Sequence, residues 1–289
     1  MGAVGDRSHV VVTPSRNEAN FLTDLAESIV NQSLLPARWV IVDHNSSDET
    51  RKILSEYKLK YDWISVVTVS DDNKRKRGSQ IAKLFNLGIS SSGEKWSFCS
   101  KIDADMILPP NYFEDILSKF DGNNQLGIAS GTCYVIHRNK KKIEHVSRDH
   151  TRGGLKTYRR SCYEDIGGIM EVDGWDGIDN ILAQMNGWET RNFYEIEVLH
   201  RRMTGSYFGL SRGCFEAGQF SYSMRYFPLF IAARSFHRMF SPPHVVGGVS
   251  MLLGYLTALI SRRPSIGDAE VIQFLREKQK SRIFFWRKR

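Results

Sequence analysis

Over the first 120 positions the apolar residues fall into short unbroken blocks separated by spaced stripes. HVVVTP at 9–14 and WVIVDH at 39–44 are continuous β-branched and aromatic runs, the composition of strands covered on both faces in a parallel sheet. Between them Phe21, Leu22, Leu25 and Ile29 recur at helical spacing behind the polar turn SRNEAN. In SSDET, Ser46, Ser47 or Asp48 can cap a second helix whose stripe is Ile53, Leu54 and Tyr57. ISVVTVS at 64–70 predicts a third strand, SQIAKLFNLGI at 79–89 a helix, and KWSFCSKID at 95–103 a fourth strand. Tyr112, Phe113, Ile116, Leu117 and Phe120 then mark a helix opened by Pro109-Pro110. Strands alternating with helices predict an α/β fold with a doubly wound, mostly parallel sheet and right-handed crossovers.

After Gly127 the pattern changes. GIASGTCYVIH and KIEHVS flank RNKKK, which predicts a hairpin or β-arm. A helix is expected over 158–166, and ETRNFYEIEVLHRR closes this part as a strand. Beyond Gly205 the chain is helix-like and rich in aromatics and arginine, so the expected division is a domain at 1–204 and a helical extension at 205–289.

Charge sharpens that division. The chain carries +8 overall, but residues 201–289 hold 15 Lys/Arg against 4 Asp/Glu, or +11, leaving 25 against 28, or −3, for the first 200. Such a basic tail can meet nucleic acid, an anionic membrane surface or acidic ligands. Its apolar stretch HVVGGVSMLLGYLTALI is 17 residues long, short of the roughly 20 that span a bilayer. MRYFPLFIAARSFHRMF and the terminal IFFWRKR mix arginines with aromatics, the ingredients of a surface-bound amphipathic segment. A soluble helical cap or a dimer contact is the other reading. The four cysteines show no C-x-x-C spacing, which argues against a zinc site or a disulfide framework and fits a reducing compartment. MGAVGDRSHVVV has neither the order of an export signal nor a myristoylation pattern, so neither processing is expected.

Polar clusters follow the strands: Pro14-Ser15-Arg16-Asn17-Glu18, Asp43-His44-Asn45-Ser46-Ser47-Asp48, and Asp103-Ala104-Asp105. In an open α/β sheet, ligands bind outside the carboxyl ends of the strands, so these clusters are expected to converge on one crevice. In an extended segment, residues two apart project to one side, which would let Asp103 and Asp105 address one ligand. Two hard oxygens with open coordination positions suit Mg²⁺ or Mn²⁺ bridging a diphosphate.

The stretch VVTPSRNEANFLTDLAESIVNQSLLPARWVIVDHNSSDET, with RGSQIAKLFNLGISSSGEKW and KIDADMIL, resembles family-2 glycosyltransferases of GT-A fold over about residues 8–200. The resemblance implies a GT-A, Rossmann-like sheet and transfer from a nucleotide-sugar, a UDP- or GDP-sugar. It implies that Pro14, Ser15, Arg16, Glu18, Asp43, Ser46, Gly78 and Asp103 hold the nucleotide, and that Asp105 holds the metal-bound diphosphate. His44 and Asn45 depart from the family, which often has Asp and Gly there. The run Lys74-Arg75-Lys76-Arg77 reads as a solvated loop or a membrane-facing patch.

In GWDGIDN, Asp176 falls where the family has the aspartate proposed as general base, and Trp175 replaces the usual preceding acid. An acceptor hydroxyl must lose its proton as it attacks, and a carboxylate within reach can take it. Asp176 or Asp179 as a mere helix cap is the alternative. His200 reads either as a third metal ligand or as a buried structural histidine, and Arg201 could offset leaving-group charge. The whole reading is a metal-dependent inverting glycosyltransferase, with Trp175, Asp179 and Arg201 on the acceptor side. A lipid-linked or polysaccharide acceptor is implied, with cytoplasmic placement peripheral to the inner face of the cell membrane and no nucleic-acid partner. Its rivals are a sugar nucleotidyltransferase, a phosphohydrolase using Asp103 as nucleophile, and a non-catalytic peripheral membrane protein.

Overall fold

The structure is a computed structural model that describes residues 7–70, 78–93, 95–202, 209–266 and 269–286. The chain divides into two compact units, Met1–Arg201 and Arg202–Arg289. The expected boundary at 204/205 and the Lys74–Arg77 run lie outside the described residues, as do the last three residues of IFFWRKR.

In the first unit β1 (His9–Ser15), β2 (Arg38–His44), β3 (Ile64–Val69) and β4 (Phe98–Ile102) lie parallel in the order β3-β2-β1-β4. The helices α1 (Ala19–Val30), α2 (Thr50–Lys60) and α3 (Ser79–Ser90) alternate with them, as the apolar blocks predict. Beyond β4 the sheet continues through β8 (Leu155–Arg159), β6 (Leu126–His137), β9 (Glu189–His200) and the short β5 (Met106–Ile107). β6 and β9 share the direction of the first four strands, while β8, β5 and β7 (Lys140–Ile143) run against them. The mostly parallel α/β class is therefore present, with an antiparallel strand set into its middle.

Both faces are covered. Val11, Trp39 and Ile41 pack with Leu22, Leu25 and Ile29 of α1 and with Phe113, Ile116 and Phe120 of α4 (Tyr112–Asp121). Val10, Val12, Val40 and Val42 point the other way, onto Ala82 and Phe85 of α3, Cys162 of α5 (Arg160–Asp165), and Trp175 and Ala183 of α6 (Trp175–Met185). This alternation along fully buried strands explains why each run is apolar at every position. Each such side chain contributes about 1.5–3 kcal/mol through burial, so Ile29→Ala in α1 would open a cavity and cost roughly 2–5 kcal/mol. All four cysteines are buried and free.

Local expectations are met unevenly. The helix expected over 158–166 is present as α5, Arg160–Asp165, but it starts two residues later because Tyr158 and Arg159 end a strand, β8, that was not expected. Leu155, Lys156, Thr157 and Tyr158 are all buried between β4 and β6, so tertiary pairing overrides a segment whose lysine and arginine hide its strand character. The segment at Asp103–Asp105 is not extended but turns, with the Met106 amide donating to the Asp103 carbonyl. Of the three residues expected to cap α2, Asp48 does so, accepting from the Thr50 amide at 3.1 Å. The expected β-arm is a β6–β7 hairpin closed by His137 and Lys140, its two-residue turn Arg138-Asn139 having φ of 50° and 58°, as a type I′ turn requires.

The second unit contains α7 (Leu210–Ser223), α8 (Pro228–Arg238), α9 (Val246–Ile260) and α10 (Ala269–Trp286). Among the described residues no helix is long and apolar enough to cross a membrane.

Candidate active site

Because β1, β2 and β4 run parallel, their carboxyl ends open on one edge of the sheet, and the three polar loops meet there. The first two are sewn together. The Asn17 amide donates to Ser46 Oγ at 2.9 Å, the Ser47 amide to Asn17 Oδ1 at 2.8 Å, and the Glu18 amide to Thr50 Oγ1 at 2.9 Å. Asn17 and Asn45 carry positive φ of 54° and 52°, a conformation asparagine tolerates better than most residues. Ser15 and Asp43 are register partners across β1 and β2, and both are buried. Asp43 Oδ2 accepts from Arg51 Nε at 3.0 Å, while Asp43 Oδ1 and Ser15 Oγ have no hydrogen-bond partner. Leaving such buried groups unsatisfied costs about 1–3 kcal/mol each, which a polar ligand would recover.

Pro14 is half-buried at the end of β1, and Glu18 is buried where α1 begins. Arg16 Nη1 lies 3.2 Å from His44 Nδ1, and Gln80 of α3 approaches the other ring nitrogen at 3.3 Å. His44 thus ties the second loop to both neighbours. Gly78 precedes α3 with φ of 66° and backs onto Asp173.

At the third loop, Lys101 is buried and pairs with Asp103 Oδ1, the carboxylate itself remaining one-third exposed. Asp105 is buried. The pairing of Met106 with His200 across β5 and β9 sets Asp105 Oδ1 3.5 Å from His200 Nε2. His200 Nδ1 lies 2.9 Å from Glu144 Oε2, which also receives Arg152 Nη2 at 2.5 Å. Burial alone would push the His200 pKa down, but the carboxylates of Asp105 and Glu144 outweigh it and raise it to about 9.

Asp105 and His200 fit a divalent cation as two ligands. Their 3.5 Å separation is near the roughly 3 Å that adjacent ligands take around an octahedral ion of about 2.1 Å bond length. Among the described residues no group of three or more His, Cys, Asp or Glu side chains is gathered to hold a metal. A site of this kind would leave most coordination positions to substrate oxygens and water. Arg201 sends its guanidinium to Asp24 on α1, and its amide donates to the Asp105 carbonyl at 2.9 Å.

The fourth group comes from the dipeptide Gly153-Gly154, just before β8. A Cβ on Gly153 would meet Asp176 Oδ2 at 2.7 Å, and one on Gly154 would meet Asp103 Oδ2 at 2.5 Å. The two carboxylates therefore flank adjacent residues and come that close only because neither residue has a side chain. Asp176 is half-buried in the first turn of α6, near the positive end of the helix dipole. Its carbonyl accepts from Lys156 Nζ at 2.6 Å and from Asn180 Nδ2 at 2.7 Å.

Asp179 and Trp175, expected on the acceptor side, are buried. Lys156 Nζ donates to Asp179 Oδ1 and Tyr158 Oη to Asp179 Oδ2, each at 2.5 Å, so both oxygens are held by the protein. Burial lowers the Lys156 pKa below its ordinary value, against the pull of Asp179 and Asp176. Neither aspartate caps the helix, which starts behind Gly174 without a side-chain cap. Lys101 and Lys156 are cross-strand partners, a like-charge pairing that ordinarily destabilises a sheet. The Trp175 ring lies 5.4 Å from each ammonium and, with Asp103 and Asp179, offsets that repulsion.

Sequence reasoning missed Glu144, Lys101, Lys156 and the glycine pair. Only Gly153-Gly154 left a local signal, two consecutive glycines before a buried strand.

A family model described as Glycosyl transferase family 2 matches residues 10–179. Solved structures share the fold. The mannosyltransferase PcManGT from Pyrobaculum calidifontis, in complex with GDP-Man and Mn²⁺, superposes with a TM-score of 0.55 at 16% identity, covering 93% of this chain and 78% of its own. TarS of S. aureus (residues 1–349) gives 0.54 at 14% identity, covering 89% and 72%, and TarS has also been solved with UDP-GlcNAc. GalNAc-T7 with UDP, GalNAc and Mn²⁺ gives 0.56 at 15% identity, covering 71% and 46%. No curated protein matches the sequence.

Proposed function

Since the chain belongs to glycosyl transferase family 2, we propose that it is a metal-dependent, inverting enzyme that moves a sugar from a UDP- or GDP-sugar to an acceptor hydroxyl. The nucleoside occupies the edge bordered by Pro14, Ser15, Arg16, Glu18, Asp43, Ser46 and Gly78, where Ser15 Oγ and Asp43 Oδ1 are buried and unpartnered. Asp103 faces the ribose. Asp105 and His200 hold Mn²⁺ or Mg²⁺, which when bound offsets the negative charge of the departing nucleoside diphosphate. PcManGT and GalNAc-T7, solved with a nucleotide and Mn²⁺, support that part of the reading.

Asp176 takes the proton of the acceptor hydroxyl as its oxygen bonds to the anomeric carbon and the bond to the diphosphate oxygen breaks on the opposite face. Lys156 and Asn180 hold the Asp176 backbone in place for this transfer. The observation that carries the proposal is the glycine pair, which sets a donor-side carboxylate and an acceptor-side carboxylate against consecutive residues. The acceptor is a lipid-linked or polysaccharide hydroxyl, met at the inner face of the cell membrane, and the basic second unit supports that placement.

Donor hydrolysis by the full chain tests the chemistry. UDP-, GDP- and dTDP-sugars are incubated with and without Mn²⁺, for wild type, Asp105→Asn and Asp176→Asn. Turnover of one nucleotide class, lost on chelation and in Asp105→Asn, supports the reading. Phosphate release from a monoester, or metal-independent turnover, rejects it.

A further inference from the structure

Helix α9 is built inside out. Its buried side is Gly247, Gly248, Met251, Gly254 and Ala258, and its exposed side is Val246, Val249, Leu252, Leu253, Leu256, Leu259 and Ile260. Soluble helices bury their large aliphatic residues and expose polar ones. Here the small residues pack inward because the backbones touch. A Cβ on Gly218 of α7 would fall 1.9 Å from the Met251 carbonyl, and one on Gly254 would fall 2.0 Å from that of Phe215. Small residues at the helix contact with large aliphatics turned outward is the arrangement of helices solvated by lipid.

Further exposed apolar residues lie on the neighbouring helix. The Val245 amide donates to the Met239 carbonyl at 2.9 Å, which joins the start of α9 to the end of α8. There Phe236 and Phe240 meet edge to face with centroids 5.3 Å apart, 63% and 67% exposed. Arg234 and His237 are exposed on α8, and Arg262 is exposed just beyond α9. With 15 residues α9 is about 22 Å long, short of the roughly 30 Å hydrocarbon core. It has the length to lie in an interface and not to cross one.

We infer that the outward face of α9, with Phe236 and Phe240, inserts into the headgroup boundary of an anionic bilayer. Charge decides between a bilayer and a second copy of the chain. Residues 202–289 carry 14 Lys/Arg against 4 Asp/Glu, or +10. Two such units face to face would repel, whereas anionic lipid attracts each basic residue near its surface. The inference gives the membrane placement proposed above a specific surface, and its test needs no sugar donor.

The full-length protein is floated with vesicles of phosphatidylcholine alone and of phosphatidylcholine with phosphatidylglycerol. Wild type and the double variant Leu253→Asn, Leu256→Asn are compared, both sites being exposed and so tolerant of polar residues. Wild type is expected on the anionic vesicles, released by salt, with binding at least about ten-fold weaker in the variant. Donor hydrolysis by the variant stays at the wild-type level, so a fold defect is recognised. Failure of wild type to float, or equal flotation of the variant, overturns the inference. A concentration-dependent dimer abolished by the variant, without flotation, assigns the face to a second copy. Flotation without donor hydrolysis leaves this inference standing and rejects the proposed chemistry.

Discussion

Lys156 and Asp179 form an ion pair of 2.5 Å in which neither side chain is more than 2% exposed. Removing one partner strands a charge in a low-dielectric interior, at about 3–5 kcal/mol. Asp179→Asn is therefore expected to lower the unfolding free energy by that amount, measured by urea unfolding. The double change Lys156→Met, Asp179→Leu should recover much of the loss while still reducing turnover, because the Asp176 carbonyl loses the donor that positions it.

Gly153→Ala would put a methyl group 2.7 Å from Asp176 Oδ2, and Gly154→Ala one 2.5 Å from Asp103 Oδ2. Displacing a catalytic group by about 1 Å can cost on the order of 100-fold in rate. The expectation is a fall in kcat for Gly153→Ala and a rise in donor KM for Gly154→Ala, each about ten-fold or more. Steady-state kinetics on the two variants separates them, and the reverse assignment would contradict the roles given to Asp103 and Asp176.

Glu144 supports His200 from behind at 2.9 Å. Partners of that kind typically govern about 10–100-fold in metal affinity. Glu144→Gln is expected to weaken Mn²⁺ binding by that factor in calorimetry, and also to lower stability because Arg152 loses its carboxylate partner. Unchanged Mn²⁺ affinity would remove His200 from the metal site.

His9 is fully buried, bonded to Ser100 at 2.8 Å and set edge-on to Phe113. Burial lowers its pKa from 6.5 to about 3. The unfolded chain therefore binds a proton that the folded chain refuses between those values, and stability falls as pH drops from 6.5 toward 3. His9→Gln should flatten that part of the stability-against-pH curve, measured by thermal unfolding at intervals of pH.

The parallel half of the fold was legible because strands buried on both faces must be apolar throughout, and the loops at their ends show as polar interruptions. β8 was not. Lys156 and Arg159 mask it, and its lysine is tolerable only because Asp179 arrives from α6. The same limit applies to the site. Asp103, Asp105, Asp176 and His200 are candidates that local sequence offers, but Glu144 meets His200 across 56 positions. Nor does periodicity announce that the chain turns at Asp103–Asp105 instead of running straight.

The reciprocal bonds between Asn17 and the Ser46-Ser47 amide and hydroxyl mean that the two loops bordering the proposed nucleoside are already locked before anything arrives. A preformed wall discriminates by fit, with little entropy left to lose on docking. Bare nucleosides, lacking the diphosphate and the sugar to be transferred, would then compete with the donor in the same rank order as the complete nucleotides, only more weakly.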